Sequence, residues 1–449
     1  AKIDAKETTT TFTATWIGDG KLSAKSSDTS VATVSMDGNV VTVTKKAGGS
    51  VIITVTVAEG TNWRATSEDC VIACVGEPIL AANKTWYKSS QDRNTITRIA
   101  VMDSYTPTGS ENESWDASAA QDGSVMAYRT GTEIVIAGDG SGKVFANRDS
   151  RIAFGDFSAM TTFAGANVLD TSKVTDMAGM FQLCSNLTSL DVTKFDTSKV
   201  TNMGSVFHGC SKLTSLNVTD FNTSNVTNMS YMFNLCNALT GVDGLSDWDT
   251  AKVTDMRAMF QACRALTGLD LSGWYASKVT DMAFTFNSCK NLTELDLSGW
   301  DTAKVTNMTY MFAGCEGLTS LDLASFDTAS VSNMRNMFGG FVIKSSDNVY
   351  GSNIGEIQMT CRKLERITLG AKFKFVGTEC YLPTPSSAYI ADADGKWYDT
   401  KDAAGYTPAA LAGVTRAETR TYVALPPRPL EAPAQTEVLT YNGKAQTPG

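Results

Sequence analysis

Histidine is almost absent from this chain, and that removes most catalytic arrangements at once. The single one, His208, occupies a variable position of an internal repeat. Ser-His-Asp, Cys-His and histidine-metal sites each need a histidine beside definite partners, and none can be assembled here. No two of the 10 cysteines stand as Cys-x-x-Cys, the spacing a zinc site asks for. No apolar run approaches the ~18 residues of a membrane span. Basic charge is in deficit: the net charge of −9 argues against a nucleic-acid binder and against electrostatic docking to an anionic membrane. No signal peptide opens the chain and no sorting tail closes it. It begins in strand-like text and stops at Thr447-Pro448-Gly449, so a piece of a larger protein is expected.

Repetition is what the chain has in abundance. A methionine recurs at Met177, Met203, Met229, Met256, Met282, Met308 and Met334, in steps of 26 with one of 27. The clearest copy runs Asp301-Thr-Ala-Lys-Val-Thr-Asn-Met308-Thr-Tyr-Met311-Phe312-Ala-Gly-Cys315-Glu-Gly-Leu318-Thr-Ser-Leu321-Asp322-Leu323. A period in this range with a Leu-x-x-Leu-x-Leu core predicts an α/β leucine-rich-repeat solenoid. Each unit is expected to supply one short parallel strand, with Leu318, Leu321 and Leu323 inward, and one helical turn over Met308 to Phe312. Asn307 is the expected N-cap of that turn, as are Asp176, Asn202, Asn228, Asp255, Asp281 and Asn333 in the other copies.

The repeating columns are read first as structure. Cys184, Cys210, Cys236, Cys263, Cys289, Cys315 and Cys361 are expected to be buried small hydrophobes, because stacked Cβ atoms at ~4.8 Å stand wider than a disulfide allows. Cys70, Cys74 and Cys380 remain unassigned. Asp191, Asn217, Asp243, Asp270, Asp296 and Asp322 form an acidic column whose repulsion needs an offset. Lys173, Lys199, Lys252, Lys278 and Lys304, or repeat Ser/Thr hydroxyls, could supply it. Asp270, Asp296 and Asp322 are weak candidates for a cation ridge, and otherwise no metal or cofactor is expected. The ring row Phe195, Phe221, Trp248, Trp274, Trp300 and Phe326 reads as a packed spine before a sugar-stacking platform.

The flanks divide the chain. Residues 1–76 alternate strictly, as in Ser50-Val-Ile-Ile-Thr-Val-Thr-Val57, and predict a small β-sandwich, truncated at its N-terminal strand because the module starts abruptly at Ala1. Residues 77–157 are expected to cap the stack, with a short helix over Trp115 to Tyr128 and a strand over Glu133 to Ala137. The repeats occupy 158–370, interrupted by an insertion at about 341–360, after which Cys361 restores the spacing. A β-rich cap over 371–424 and a Pro-rich linker with the start of a further module over 425–449 complete the expectation. Gly138 to Lys143 lacks the first glycine and the Ser/Thr of a phosphate loop, and Asp392-Ala-Asp394-Gly395 lacks most ligands of a calcium loop. Both read as turns.

The run Phe195 to Met203 (Phe-Asp-Thr-Ser-Lys-Val-Thr-Asn-Met), with Met-Phe-x-x-Cys and Leu-Thr-Ser-Leu-Asp-Leu, resembles the repeat of BspA-like leucine-rich-repeat bacterial surface proteins over about 160–340. Ser30-Val-Ala-Thr-Val34 with Asp37-Gly-Asn-Val-Val-Thr-Val43 resembles bacterial immunoglobulin-like modules. The resemblance implies an extracellular, cell-surface adhesin binding host or neighbouring-cell proteins. It transfers no ligand, because the shared residues are structural. A non-enzymatic, monomeric module is expected, with a structural spacer as the alternative. Recognition should sit where copies differ, and the candidates are Tyr231, Arg257, Phe284, Tyr310 and Arg335. A contiguous apolar-plus-Arg patch at Tyr231, Phe284, Tyr310 and Arg257 would favour the adhesin; scatter would favour the spacer. An enzymatic reading would require a carboxylate-lined cleft at a cap.

Overall fold

The structure, a computed structural model, describes residues 2–3, 9–15, 19–47, 49–61, 64–74, 77–343 and 357–426. Most of the Pro-rich linker and most of the expected insertion lie outside the described residues. Two separate hydrophobic cores organise the rest. In the first 74 residues, a four-stranded sheet and a three-stranded sheet enclose Ala32, Val41, Val43, Val51, Ile53 and Ile72. Strict alternation places these inward while their sequence neighbours face out.

The second core begins with a five-stranded sheet. Its central strands Arg98–Met102 and Glu133–Ala137 pair in parallel, and Met126–Thr130 and Glu113–Asp116 follow antiparallel. The helix expected over Trp115 to Tyr128 is not formed. Its two ends are the antiparallel strands, and the carboxylate of Asp116 closes the turn between them by accepting the amides of Ser118 (2.8 Å) and Gly123 (2.9 Å). Local side-chain bonding of this kind outcompetes a helix.

Glu113 ties this sheet to the preceding segment. Its carboxylate accepts from the hydroxyl of Ser89 (2.6 Å), the amide and hydroxyl of Ser90, and Nη2 of Arg129 (3.2 Å). These bonds, that from Ser89 foremost, pull its pKa down to about 2. A carboxylate depressed in the folded state stabilises above its ordinary value and loses that contribution as pH falls through the depressed one. Glu113→Gln should therefore lower the melting temperature at neutral pH and flatten its acid branch between 4.5 and about 2, as read by thermal melts across that window.

Beyond this sheet the repeat units stack in register. Isolated parallel bridges run from Asp149 through Asp176, Asn202, Asn228, Asp255, Asp281 and Asn307 to Asn333. Short parallel strands pair on the other flank, as Ser215–Asn217 with Gly241–Asp243 and Ser320–Leu323 with Arg366–Leu369. The α/β leucine-rich-repeat solenoid expected from the period is overturned. Strand accounts for 26% and helix for 3%, and the one α-helix among the described residues, Pro408–Ala412, lies outside the repeats.

The backbone explains why no helical turn forms. The amides of Met308, Tyr310 and Phe312 donate to the carbonyls of Asn333, Arg335 and Met337 in the next unit at 2.8, 3.0 and 2.8 Å. An α-helix would spend those amides within its own turn. The alternate amides of Met311 and Ala313 instead close four-residue turns onto the carbonyls of Met308 and Tyr310. Tyr310 is left-handed, with φ of 55°. The same column is left-handed at Gly179, Ser205, Tyr231, Ala258, Phe284 and Asn336, a conformation a right-handed helix cannot contain. The expected N-caps are Asx turns: Asn307 Oδ1 accepts the Thr309 amide at 3.2 Å and Asp281 Oδ1 that of Ala283 at 2.8 Å. The misreading has a simple source. Met308, Met311 and Phe312 carry the i, i+3, i+4 spacing of a helix face, and a left-handed kink between them buries the same three side chains.

Two ring columns fill the interior. Phe260, Phe286 and Phe312 stack at 5.9 and 5.8 Å, and Trp248, Trp274 and Trp300 at 5.9 and 6.3 Å. The cysteines line the same core. Each thiol faces a phenylalanine carbonyl of the preceding unit, as Cys315 does with Phe286 and Cys361 with Phe312, both at 3.1 Å. Burial pushes the Cys289 and Cys361 thiols up to about 12, so they stay protonated and unreactive.

Candidate functional site

The candidate binding residues come from five successive units, and the left-handed column brings them together. With φ near 55–62°, Tyr231, Phe284 and Tyr310 point away from the core and stay half-buried along one ridge. Arg257 stands beside the column at the residue before Ala258. Its Nε donates to the Tyr231 hydroxyl at 2.8 Å, and its guanidinium lies 5.4 Å from the Phe284 ring centroid. Phe284 and Tyr310 stack at 5.1 Å with an interplanar angle of 17°. The Tyr310 hydroxyl accepts from Asn336 Nδ2 at 3.2 Å. Arg335, at the end of the row, is exposed and pairs with Glu379 at 2.6 Å.

The ridge is therefore one chain of contacts from Tyr231 to Asn336. Phe284 has a cation over one face and a ring over the other, so neither face is free to stack a sugar. What the ridge offers outward is ring edges, the Tyr231 and Tyr310 hydroxyls and two guanidinium groups. Hydrogen bonding to Tyr231, with a smaller contribution from Asp281 at 3.6 Å, holds Arg257 above its usual value and hence charged. Asp255, beneath it, is pushed up by burial and further by the charge of Asp281. Asp281 and Glu379 were not legible as site residues. Asp281 looked like one more repeat-invariant Asx, and Glu379 arrives from beyond the insertion with no local signal.

The other singled-out residues lie elsewhere. The acidic column does not converge: Asp270 and Asp296 each accept their own Ser at i+2, and Asp322 accepts the Ala324 amide at 2.9 Å. Those serine bonds hold Asp270 and Asp296 below the usual carboxylate range. The offset to their repulsion is thus local hydroxyl and amide bonding. The lysine column is engaged separately, Lys173 with Glu77 and Lys252 with Asn225. Among the described residues no group of three or more His, Cys, Asp or Glu could hold a metal ion. His208 is half-buried, its Nδ1 lacks a hydrogen-bond partner and burial lowers its pKa. Among the described residues no helix is long and apolar enough to cross a membrane.

Residues 152–268 and 235–349 are similar to a family described as Mycoplasma protein of unknown function, DUF285. The two matches overlap over 235–268, as a repeated unit allows when one family model aligns twice. Their span takes in every residue of the ridge except Glu379. No curated protein and no solved structure matches the chain.

Proposed function

We propose that this protein is a non-enzymatic adhesin of a bacterial cell surface, holding a protein partner on the ridge formed by Tyr231, Arg257, Phe284, Tyr310 and Arg335. The observation that carries this reading is contiguity. Four of the five residues chosen because they vary between copies, Tyr231, Arg257, Phe284 and Tyr310, touch in sequence along one face, and buried-edge aromatics with arginine are the usual anchors of protein interfaces. A spacer that only projects another domain needs no such ridge. The resemblance of the repeat text to BspA-like surface proteins supports placing it outside the cell. The family matched over 152–349 is described as of unknown function, and adds nothing to the choice of partner.

The test must separate lost contacts from lost folding. Asparagine tolerates left-handed φ and already fills the column at Asn336, so the triple variant Tyr231→Asn/Phe284→Asn/Tyr310→Asn keeps the backbone feasible. Retention of labelled protein on immobilised serum and matrix proteins and on whole bacterial cells should fall at least tenfold, the loss of about one anchor residue. Retention unchanged in a variant with the wild-type melting temperature would leave the spacer.

A further inference from the structure

His208 stands in a column of amide side chains. The backbone ladder sets that column in register: Leu183 donates to the His208 carbonyl (2.6 Å), Gly209 to Asn234 (2.7 Å), Leu235 to Gln261 (2.8 Å) and Ala262 to Asn287 (2.7 Å). The side chains then pass hydrogen bonds along the stack in one direction. Asn234 Nδ2 donates to Gln261 Oε1 at 2.8 Å, Gln261 Nε2 to Asn287 Oδ1 at 3.2 Å, and Asn287 Nδ2 to the Ala313 carbonyl at 3.0 Å. Asn234 and Asn287 are buried, so this chain of bonds is interior. Gln182, on the other side of His208, turns away from it and donates to Asp156 Oδ1 at 3.2 Å.

An amide has a donor and an acceptor and can hand a bond on; a neutral imidazole has one of each, on different nitrogens. Asn234 commits its nitrogen to Gln261 and presents oxygens to the ring, which places the imidazole proton on Nε2. Nδ1 is left as a buried lone pair without a partner. The charged groups on the adjoining units are engaged elsewhere. Asp156 is held by Gln182 and by Lys84 at 3.1 Å, and Asp176 accepts from Asn202 at 3.3 Å. Lys212 reaches Asn186 at 2.6 Å, and Arg257 is held by Tyr231 and Asp281.

We propose that His208 is an acid-sensitive joint of the repeat stack, closed while its ring is neutral and opened between the units of Phe207 and Phe233 when the ring takes a proton. The proton has one place to go, Nδ1. There it would bury a donor without an acceptor and a charge without a counterion. Burial accordingly lowers the pKa from the ordinary 6.5. A base depressed in the folded state stabilises while neutral; that contribution is whole above 6.5 and is lost as pH falls toward the lower folded value. Histidine is the one side chain that ordinarily titrates between about pH 5 and 8, and this chain has a single one. Asp255, two units on, is raised by burial and acts in the opposite sense, so the comparison must change His208 alone. The joint lies at the turn of Tyr231, whose carbonyl accepts the Asn234 amide at 3.0 Å, yet it does not depend on what the ridge holds.

The test is amide exchange of the full chain at about pH 7.5 and about pH 5. Ser205, Phe207 and Gly209 donate their amides across the joint, and Phe260 and Ala262 do the same two units on. Corrected for the intrinsic effect of pH, exchange of the first three should quicken at least threefold relative to the last two on acidification. His208→Asn gives the column the same amide as Asn234 and Asn287 and should remove that change. The lone imidazole C2 proton, followed by NMR in the wild type, should titrate below 6.5. A constant exchange ratio in the wild type, or titration at 6.5 or above, would overturn the proposal without any variant having to fold. An equal acid response in His208→Asn would overturn it as well.

Discussion

Trp274→Ala is expected to cost roughly 3–5 kcal/mol, the range for deleting a large buried aromatic side chain. Trp274 is 1% exposed, stacks on Trp248 and Trp300 at 5.9 and 6.3 Å, and donates its indole N–H to the Leu245 carbonyl at 2.7 Å. Alanine there would leave a cavity, two uncovered ring faces and a Leu245 carbonyl with only the Trp248 amide as donor. Each unit of a stacked repeat is held mainly by its neighbours, so the damage should act as a cut between two halves. Chemical denaturation followed by ring fluorescence should show a lower midpoint for the repeats and one transition more than the wild type shows. Trp274→Phe is the control. Phenylalanine fills the same column at Phe221 and Phe326, so its cost should stay below about 2 kcal/mol. Equal losses in the two variants would mean that the column does not carry the coupling between units.

Ser205 gives a prediction whose sign separates two backbones. In a helix interior, glycine in its place would destabilise by roughly 0.5–1 kcal/mol. Ser205 instead has φ of 59°, and Gly179 holds the same position in the preceding unit. Left-handed φ costs a residue with a Cβ about 1–2 kcal/mol, partly offset by the extra unfolded-state freedom of glycine. Ser205→Gly should therefore stabilise by roughly 0.5–1 kcal/mol. Ser205→Val should do the reverse, by about 2 kcal/mol or more, because a β-branched side chain fits that region worst. Equilibrium unfolding of the pair is the measurement. Loss of stability in both variants would favour the helical turn over the left-handed column.

A left-handed column of this size needs an outside reason, since most of its members are not glycine. The reason is the amide ladder between units: Met282, Phe284 and Phe286 donate to Asn307, Thr309 and Met311 at 2.9, 2.9 and 3.0 Å. Every second amide is committed to the neighbour, and the kink is what turns it there. Strain held by surrounding bonds in this way accumulates at positions that also face outward. Here those positions are Tyr231, Phe284 and Tyr310, so the same geometry that strains the backbone presents the ridge.

The columns of the repeat were legible in the text because a fixed period aligns like with like, whatever path the chain takes between. Burial of Met308, Met311, Phe312, Cys315 and Leu318 follows from that alignment. The path itself was not legible. A helical turn and a left-handed kink bury the same i, i+3 and i+4 side chains, and they differ only in where the amides point. That choice rests on hydrogen bonds to another unit, 25 or 26 residues away, which no local pattern encodes. The ridge was half legible. Variation between copies singled out Tyr231, Arg257, Phe284, Tyr310 and Arg335, and nothing in their spacing said whether they would touch.

By itself, then, the sequence determined the period, the identity of the buried columns and the poverty of catalytic side chains. Tertiary structure alone decided the hand of the backbone at each unit, the contact of Arg257 with both Tyr231 and Phe284, and the arrival of Glu379 beside Arg335. The division has one physical cause. Hydrophobic patterning is a property of single positions and survives in the text, whereas the partner of an amide or an edge is a property of pairs that only the folded chain brings within 3 Å.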